Sequence, residues 1–370
     1  MNDHPSFEDR LHRRGLLVRA GVGAMTLSGL SLGDGSVPAF ASSDALAGTI
    51  RFSNYPGWIG KRTISAFEKA NPSVKVKLSA DQSSFVSLLP KLKAQPGLFD
   101  MALAGIDEAQ RGIAAGVVDE LDFKNIPNSR LIAPKFLRAG VNKSGDYLIP
   151  TDYGKNGIAI RTDLVRETIS SWADLWKVAP KYSGKLYVYD FARTLLSTAL
   201  LKLGYSANDT NKDHIAAAGR ELEKLKPHIG NLGTNGIGAA LVNGSAAISV
   251  TYDYDAYQAA QKNKSIRWIN PKEGTVAYLE GWVALKGNNL QPEVEAFINF
   301  TLRPNYYADF VRDNSTAWTI PAARRYLPPA LAKSPILFPS QSVLRSVQFE
   351  SYLGAAAQYY DRAYIKFKAS

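Results

Sequence analysis

Residues 247–287 read AISVTYDYDAYQAAQKNKSIRWINPKEGTVAYLEGWVALKG, and the organisation of the rest of the chain can be worked out from this segment. Two apolar runs within it, residues 248–252 and 276–285, predict β-strands, because short runs of β-branched and aromatic residues suit a buried sheet. Each run ends in, or is interrupted by, an aromatic residue and an acid. Such a pairing is unusual for strands of a protein core.

The acids of this segment are Asp253, which directly follows Tyr252, and Glu280, which lies close to Tyr278. A carboxylate buried without a partner is strongly unfavourable, or its pKa rises until the group is neutral. Each acid is therefore expected to meet a cation. That cation could be a lysine or arginine of the same chain. It could also be a ligand amine, which gains a further ~0.5–2 kcal/mol between aromatic faces.

The composition indicates a globular protein with room for two domains. The chain has 370 residues, of which 45% are apolar and 21% are charged. The absence of cysteine excludes a disulfide scaffold, a thiol nucleophile and a thiolate metal site. The net charge of +11 comes from scattered lysines and arginines without a recognition motif, so nucleic-acid binding is not predicted.

Residues 1–41 have the pattern of an export signal. Arg13 and Arg14 precede a weakly apolar run rich in Gly, Ala and Ser, and Ala39-Phe40-Ala41 has the small-x-small form of a cleavage site. The low hydrophobicity favours twin-arginine export over the general secretory route and argues against a membrane span. We therefore expect a periplasmic protein and exclude this segment from the fold prediction. A cytoplasmic tail with a chance arginine pair is the alternative.

Strand and helix patterns alternate from residue 46 onward. This alternation predicts an α/β protein of the doubly wound class with a parallel sheet, in which ligands collect at the carboxyl ends of the strands. Tyr55, Trp58 and Asp107 follow such strands and are candidate site residues by position. The predicted strands are residues 49–55, 74–80 and 99–104, and the predicted helices are residues 59–70 and 84–94.

A second alternating block begins after residue 146. Residues 147–150 and 157–161 predict strands on either side of a linker at 151–154, and Ser171 with Asp174 forms a helix-capping pattern. The other predicted elements are a strand at 184–190 and helices at 171–176, 191–203, 212–225, 237–242, 292–302 and 349–367.

The sequence offers little for enzyme chemistry. After residue 41 the chain has two histidines, His214 and His228, both in a lysine-rich helical region where a surface role is favoured. It lacks the histidine spacing of a zinc protease, a nucleophile elbow and a phosphate-binding loop. We therefore predict neither an enzyme nor a bound metal or cofactor.

Several short motifs resemble one known family. They are SWADLW at 171–176, YSGKL at 182–186, LKLGYS at 201–206, NPKEG at 270–274, LRP at 302–304 and IPAAR at 320–324. In this order they resemble the spermidine/putrescine periplasmic binding proteins of ABC importers, and the resemblance runs from about residue 49 to residue 368. It implies two α/β lobes, each a mostly parallel sheet flanked by helices, hinged by crossing strands around the ligand. The lobes would comprise residues 46–149 with 281–323, and 150–280 with 324–370.

The resemblance implies an amine-binding pocket that is partly retained here. Tyr55 and Trp58 fall where the family has aromatic residues after the first strand, and Tyr252 and Tyr278 fall where it has tryptophans. Glu280 falls where the family has an aspartate that grips an amine. Aromatic walls and one acid of the pocket are therefore expected to remain.

Other pocket positions depart from the family pattern. Phe191 and Thr194 replace two ligand-facing acids on either side of Arg193, Asp107 stands in a position of the family's tyrosine, and Glu350 replaces a glutamine. Arg193 could bind a ligand carboxylate through two hydrogen bonds, or it could point into its own lobe and pair with Asp190. Alternatively, Asp107, Asp253 and Glu350 could restore the lost charge and keep a diamine as ligand.

These observations predict an extracytoplasmic solute-binding protein that delivers its ligand to an ABC permease and ATPase. We expect the protein to be a monomer. The ligand would be a polyamine, or a γ-aminobutyrate-like or opine-like molecule with an amine and a carboxylate. A sensor that presents ligand to a membrane receptor and an enzyme on the same scaffold are the competing classes. The hinge is expected near residues 151–154, Gly281 and Arg324.

Overall fold

A computed structural model describes residues 46–139 and 145–370 of the chain. The predicted export signal, residues 1–41, lies outside the described residues. None of the helices in the described ranges is long and apolar enough to cross a membrane.

The strands form one curled, mixed sheet with a path of eight strands and four further strands that pair beside it. The order along the path is β2-β1-β3-β10-β5-β8-β6-β7. The strands are β1 (Gly48–Ser53), β2 (Val74–Ser79), β3 (Met101–Gly105), β4 (Val118–Asp119), β5 (Ile149–Arg161), β6 (Leu186–Tyr189), β7 (Ile229–Gly233), β8 (Ile248–Tyr252), β9 (Ile266–Ile269), β10 (Thr275–Leu285), β11 (Ala317–Trp318) and β12 (Val347–Phe349).

Helices cover the sheet and connect most of its parallel strands. They are α1 (Thr63–Ala70), α2 (Phe85–Ala94), α3 (Ile106–Ala114), α4 (Pro134–Leu137), α5 (Trp172–Val178), α6 (Ala192–Lys202), α7 (Lys212–Leu225), α8 (Ile237–Asn243), α9 (Asp253–Lys262), α10 (Gln291–Thr301), α11 (Pro304–Asn314), α12 (Pro329–Ala332), α13 (Gln341–Arg345) and α14 (Ala357–Ala369).

The first block confirms the predicted parallel sheet. β1 pairs in parallel with β2 on one side and with β3 on the other. In β2, Val74 and Val76 are buried while the alternating lysines are exposed, as the sequence pattern predicts. The Ser84 hydroxyl accepts a hydrogen bond from the Ser87 amide at 3.1 Å and so caps α2.

β5 is a continuous strand, which corrects the prediction of a linker at residues 151–154. Its first half pairs with β10 and β11, and its second half pairs with β8 and β9. Its polar residues Thr151, Asp152, Lys155 and Asn156 are all buried. The sequence suggested a linker because these side chains are polar, but the ladder on both edges satisfies the backbone.

β10 crosses the same region antiparallel to β5, and its pairing with β5 is irregular between Glu280 and Gly281. A Cβ atom at Gly281 would lie 2.1 Å from the carbonyl oxygen of Ile149. Gly281 is therefore required by the close approach of two backbones at this bulge.

The second block also has parallel strands, because β6 pairs in parallel with β7 and with β8. The structure confirms the helix at 212–225 as α7 and the strand at 248–252 as β8. Ser171 caps α5 by accepting a hydrogen bond from the Asp174 amide at 2.9 Å. The last predicted helix, 349–367, is wrong in its first part, because Val347–Phe349 forms β12 beside β10 and α14 begins at Ala357.

The sequence patterns missed two helices that follow buried strands without a loop. α3 begins directly after β3, and α9 begins directly after β8. Both have two acids in the first turn, where carboxylates interact favourably with the helix dipole: Asp107 and Glu108 in α3, and Asp253 and Asp255 in α9.

Buried apolar residues of the described chain form two large clusters and a smaller one. The first cluster surrounds β1 and β3, and the second surrounds β6 and the helices α6, α7 and α14. Leu327, Leu331 and Leu337 belong to the first cluster. The exact boundaries of the two lobes remain a prediction.

Candidate functional site

A cavity of about 610 Å³ opens where β3, β6, β8 and β10 meet the helices that follow them. This is the position at which ligands collect in sheets with parallel strands. Eight of the nine residues predicted as ligand-binding line it: Tyr55, Trp58, Asp107, Arg193, Tyr252, Tyr278, Glu280 and Glu350. Asp253 does not line it.

Tyrosine rings form one wall of the cavity. The Tyr252 ring packs edge-on against Tyr278 with a centroid separation of 5.4 Å and is stacked with Tyr254 at 5.8 Å. Tyr189 also packs edge-on against Tyr252, at 5.2 Å. Tyr189 and Tyr254 were not predicted from the sequence, although the place of Tyr189 at the end of a strand and of Tyr254 beside Asp253 could have indicated them.

Two further aromatic residues extend this wall. Trp58 packs edge-on against Tyr254 with a centroid separation of 6.1 Å. Phe191 is stacked with Tyr189 at 5.2 Å and is 41% exposed, so its ring is available to an alkyl chain in the cavity. Trp58, Phe191 and the tyrosines of this wall therefore form one continuous set of ring–ring contacts.

Gly154 lets the Tyr278 ring approach β5. The two residues are opposite each other in the β5–β10 ladder. A Cβ atom at Gly154 would lie 2.5 Å from the Tyr278 ring, a distance that side chains do not tolerate. The position of Tyr278 in the cavity therefore depends on a glycine in the neighbouring strand.

Glu280 lies opposite Asp152 in the β5–β10 ladder. Like charges at opposite positions of an antiparallel pair are destabilising, so this arrangement needs a functional or structural reason. Asp152 accepts hydrogen bonds from the hydroxyls of Thr151 and Thr316, each at 3.1 Å. Burial nevertheless raises the pKa of Asp152 to about 7.

The carboxyl group of Glu280 is surrounded by other acids. Burial is the main cause that raises the pKa of Glu280 well above its ordinary value. The acids that raise it further are, in decreasing order, Asp152, Glu108, Asp107 and Glu350. These neighbouring charges are all negative, so a cation bound beside Glu280 would favour its ionised form.

Glu108 is a cavity residue that the sequence analysis did not identify. Its carboxylate accepts hydrogen bonds from the Gly105 amide at 3.1 Å and from the Val86 amide at 3.3 Å. Burial, followed by the charge of Asp107, raises the pKa of Glu108 to about 7 despite these bonds. Its place as the third residue of α3 could have indicated this capping role.

Glu350 occupies another wall of the cavity. Its carboxylate accepts a hydrogen bond from the Thr194 hydroxyl at 3.0 Å, and Thr194 also contacts the Tyr252 hydroxyl at 3.0 Å. Burial raises the pKa of Glu350 to about 7, although the positive charge of Arg193 opposes this rise. Glu350 is thus joined to the tyrosine wall through one hydroxyl.

Arg193 lines the cavity but directs its hydrogen bonds into its own lobe. Its guanidinium donates to the Ala207 carbonyl at 2.7 Å and to the side chains of Ser197 and Asn208. The guanidinium also lies 4.9 Å from the centre of the Tyr360 ring. The inward orientation weighed in the sequence analysis is therefore observed.

The pairing of Arg193 with Asp190, one of the two alternatives that the sequence left open, is not observed. Asp190 instead accepts a hydrogen bond from the Tyr364 hydroxyl and pairs with Lys368 at 2.6 Å. Both of these partners belong to α14, which the sequence patterns did not place against α6. Asp190 is therefore committed to a contact away from Arg193.

Asp253 has a partner within the chain. Its carboxylate pairs with the buried Lys155 ammonium at 2.7 Å, and Lys155 also donates to the Ile336 carbonyl. Burial lowers the pKa of Lys155 and raises that of Asp253, and their pairing opposes both shifts. The acids of the opening segment thus differ: Asp253 meets a lysine, whereas Glu280 faces the cavity.

No metal centre is apparent in the described ranges, because they contain no group of three or more His, Asp or Glu residues arranged to hold a metal ion. The cavity acids are instead spread over separate walls. Thr234 and Asn235, which follow β7, also line the cavity and could offer hydrogen bonds to a polar ligand.

Residues 62–339 match the family described as bacterial extracellular solute-binding protein. The chain is also 28% identical to the spermidine/putrescine-binding periplasmic protein of Escherichia coli K12, over 87% of this chain and 92% of that protein.

Solved structures have a similar fold. The spermidine/putrescine ABC transporter substrate-binding protein PotD of Streptococcus pneumoniae superimposes with a TM-score of 0.75 at 23% identity, over 87% of this chain and 98% of that one. The Tp0655 lipoprotein of Treponema pallidum gives a TM-score of 0.77 at 21% identity, over 86% and 99%. These likenesses confirm the predicted α/β class and the two-lobe architecture.

Proposed function

Because the chain belongs to the family of bacterial extracellular solute-binding proteins, we propose that it captures a polyamine such as putrescine or spermidine in the described cavity. The relative from Escherichia coli, named for binding spermidine and putrescine, supports this choice of ligand. Members of such a family bind solutes and are not enzymes.

One observation carries the proposal: acids on several walls converge on an aromatic cavity. Burial and neighbouring acids raise the pKa of Glu280, Glu108 and Glu350, so a bound cation would stabilise the ionised form of each carboxylate. Aromatic walls bury the methylenes of a polyamine, at about 25 cal/mol per Å² of apolar surface, while their faces attract its ammonium groups.

A ligand with one amine and one carboxylate fits the cavity less well. Its carboxylate would need a cation, and the guanidinium of Arg193 is already bonded to Ala207 and to two side chains of its own lobe. Without such a partner, the carboxylate would lie among acids, which repel it. These contacts favour a ligand that is positive at both ends.

We further propose that the protein works outside the cytoplasm, after export by the twin-arginine route, and delivers its ligand to an ABC permease and ATPase. A monomer with lobes at residues 46–149 with 281–323 and 150–280 with 324–370 would suit this role. A sensor role remains the competing class, and a permease and ATPase encoded beside the gene would favour transport.

The direct test of the ligand class is titration calorimetry with putrescine, spermidine and γ-aminobutyrate on the purified protein. We expect saturable binding of at least one polyamine and weaker or absent binding of γ-aminobutyrate. The reverse order of affinities would replace the polyamine with a zwitterionic ligand. Chemical conversion of a bound ligand would point to the enzyme class instead.

Removal of the aromatic walls is expected to weaken polyamine binding. Trp58→Ala and Tyr278→Ala should each reduce the affinity for the polyamine about tenfold or more, which corresponds to about 1.4 kcal/mol. Tyr326, which is 45% exposed and lies outside the cavity, provides the matched control variant Tyr326→Ala. Unchanged calorimetric affinity in both cavity variants would remove the aromatic walls from the site.

Ligand binding is expected to bring the two lobes together around β5 and β10. These crossing strands pair with each other, and the bulge beside Gly281 gives them a place to bend. Small-angle scattering should give a smaller radius of gyration when a polyamine saturates the protein. The same scattering profile with and without ligand would indicate a rigid cavity. As a control, a variant that cannot bind the polyamine should give the profile of the ligand-free protein even when the polyamine is present.

A further inference from the structure

Glu350 projects into the cavity from a short segment, residues 347–352, that runs beside β10. Its backbone amide donates a hydrogen bond to the Ala277 carbonyl at 2.9 Å. The segment includes β12, whose three residues pair with the start of β10. The position of the Glu350 carboxylate therefore depends on what holds this segment in place.

Asn208 grips the segment on both sides of Glu350. Its side-chain nitrogen donates to the Phe349 carbonyl at 2.9 Å, and its side-chain oxygen accepts from the Ser351 amide at 2.9 Å. A bidentate contact to the residues before and after Glu350 fixes the backbone more firmly than one hydrogen bond would. Asn208 itself does not line the cavity.

Arg193 in turn holds Asn208. Its guanidinium donates to the same side-chain oxygen that receives the Ser351 amide, and to the Ala207 carbonyl at 2.7 Å. Gln348 adds a further contact, because its side-chain oxygen accepts from the Ala207 amide at 2.9 Å. The loop that follows α6 and the segment that carries Glu350 are thus tied together.

We propose, on the basis of the polyamine-binding function above, that Arg193 and Asn208 form a clamp that positions Glu350 as a ligand-binding carboxylate. In this role Arg193 is a positioning residue that acts through Asn208. Its neighbour Thr194 donates a hydrogen bond directly to the Glu350 carboxylate. Two consecutive residues of α6 therefore position Glu350. Thr194 bonds its carboxylate, and Arg193 acts through Asn208 on the backbone before and after it.

The test uses Asn208→Ala, because this residue holds the segment without lining the cavity. Titration calorimetry with putrescine and spermidine should show about tenfold weaker binding for Asn208→Ala and for Glu350→Gln. The double variant should bind no more than about twofold more weakly than Glu350→Gln alone, since a clamp that acts through Glu350 has no effect once that carboxylate is gone. Arg193→Ala combined with Glu350→Gln should behave in the same way.

Asn211→Ala is the matched control. Asn211 lies on the same loop and caps α7 by accepting a hydrogen bond from the Asp213 amide at 2.8 Å, and its side chain forms no hydrogen bond with residues 347–352. Its loss should destabilise the protein without changing polyamine affinity. Equal affinities of Asn208→Ala and the unaltered protein, or effects of Asn208→Ala and Glu350→Gln that simply add, would overturn the proposed clamp.

Hydrogen exchange of the ligand-free protein separates the clamp from the ligand assignment. Asn208→Ala should speed exchange in peptides covering residues 347–352, including the Glu350 amide, whose own acceptor is Ala277. If the unaltered protein binds neither putrescine nor spermidine, the proposed function fails while this exchange still tests the clamp. Unchanged exchange in Asn208→Ala would overturn it whatever the ligand is.

Discussion

Glu280→Gln is expected to weaken the binding of putrescine and spermidine at least a hundredfold, which corresponds to roughly 2.7 kcal/mol. Losses of about this size or larger follow when one partner of a buried, hydrogen-bonded charge pair is removed. Glu280 lies among the cavity acids, at the position opposite Asp152 in the ladder. Its ionised carboxylate is therefore the natural partner of a buried ammonium group.

The same substitution is expected to stabilise the empty protein. The pKa of Glu280 is higher in the folded state than in the unfolded state. At any pH above the unfolded-state pKa, the carboxyl group therefore lowers the free energy of unfolding. This loss grows as the pH rises towards the folded-state pKa. Glutamine removes this cost while it keeps the size of the side chain. Thermal unfolding of the ligand-free variant at neutral pH should therefore show a higher melting temperature.

Glu120→Gln is the control for the loss of one negative charge, because Glu120 is exposed and lies outside the cavity. It should leave polyamine affinity and melting temperature almost unchanged. Retained affinity in Glu280→Gln would show that the amine is held by other carboxylates, with Glu350 and Asp107 as the first to test.

Polyamine affinity is also expected to rise with pH below about pH 7 and to level off above it. The pKa values of Glu108, Asp152 and Glu350 are each raised to about 7, mainly by burial. A bound ammonium favours the ionised carboxylates, so binding must release protons, whereas the amine itself loses its charge only near pH 10. Each proton released changes the affinity by about tenfold per pH unit below the pKa.

Calorimetry in two buffers with different ionisation enthalpies measures this proton release at pH 7. We expect a net release on polyamine binding and a smaller release in Glu350→Gln. The ligand-free protein should show the opposite trend in stability, because carboxyls with a raised pKa favour the folded state at pH 5 relative to pH 8. Net proton uptake on binding would contradict this account of the cavity.

Local sequence patterns predicted much of the fold. The helix at Lys212–Leu225 and the strand at Ile248–Tyr252 agree with the structure in both bounds, because each has a clear apolar period. The strand character of residues 151–154 was missed, since their polar side chains are satisfied by contacts far along the chain. The Thr316 hydroxyl, for example, donates a hydrogen bond to the Asp152 carboxylate at 3.1 Å.

The candidate site was predicted less evenly. Eight predicted residues share one cavity. Aromatic and acidic residues in or after strands indicated some of them, and the family resemblance supplied the others, Arg193 and Glu350 among them. The partner of Asp253 could not be predicted, because Lys155 comes 98 positions earlier, in a strand that was partly predicted to be a linker. Glu108 was missed because α3 begins without a loop, so its third residue looked like ordinary surface charge.

The shared strand β5 also has a consequence for how this protein could evolve new ligand preferences. Phe191, on a loop and 41% exposed, can change with little effect on the backbone around it. Glu280, by contrast, belongs to the crossing strands and lies opposite Asp152, so a mutation there alters both ligand recognition and the pairing of β5 with β10. Diversification should therefore accumulate on the cavity's loops first and reach the crossing strands only with compensating changes.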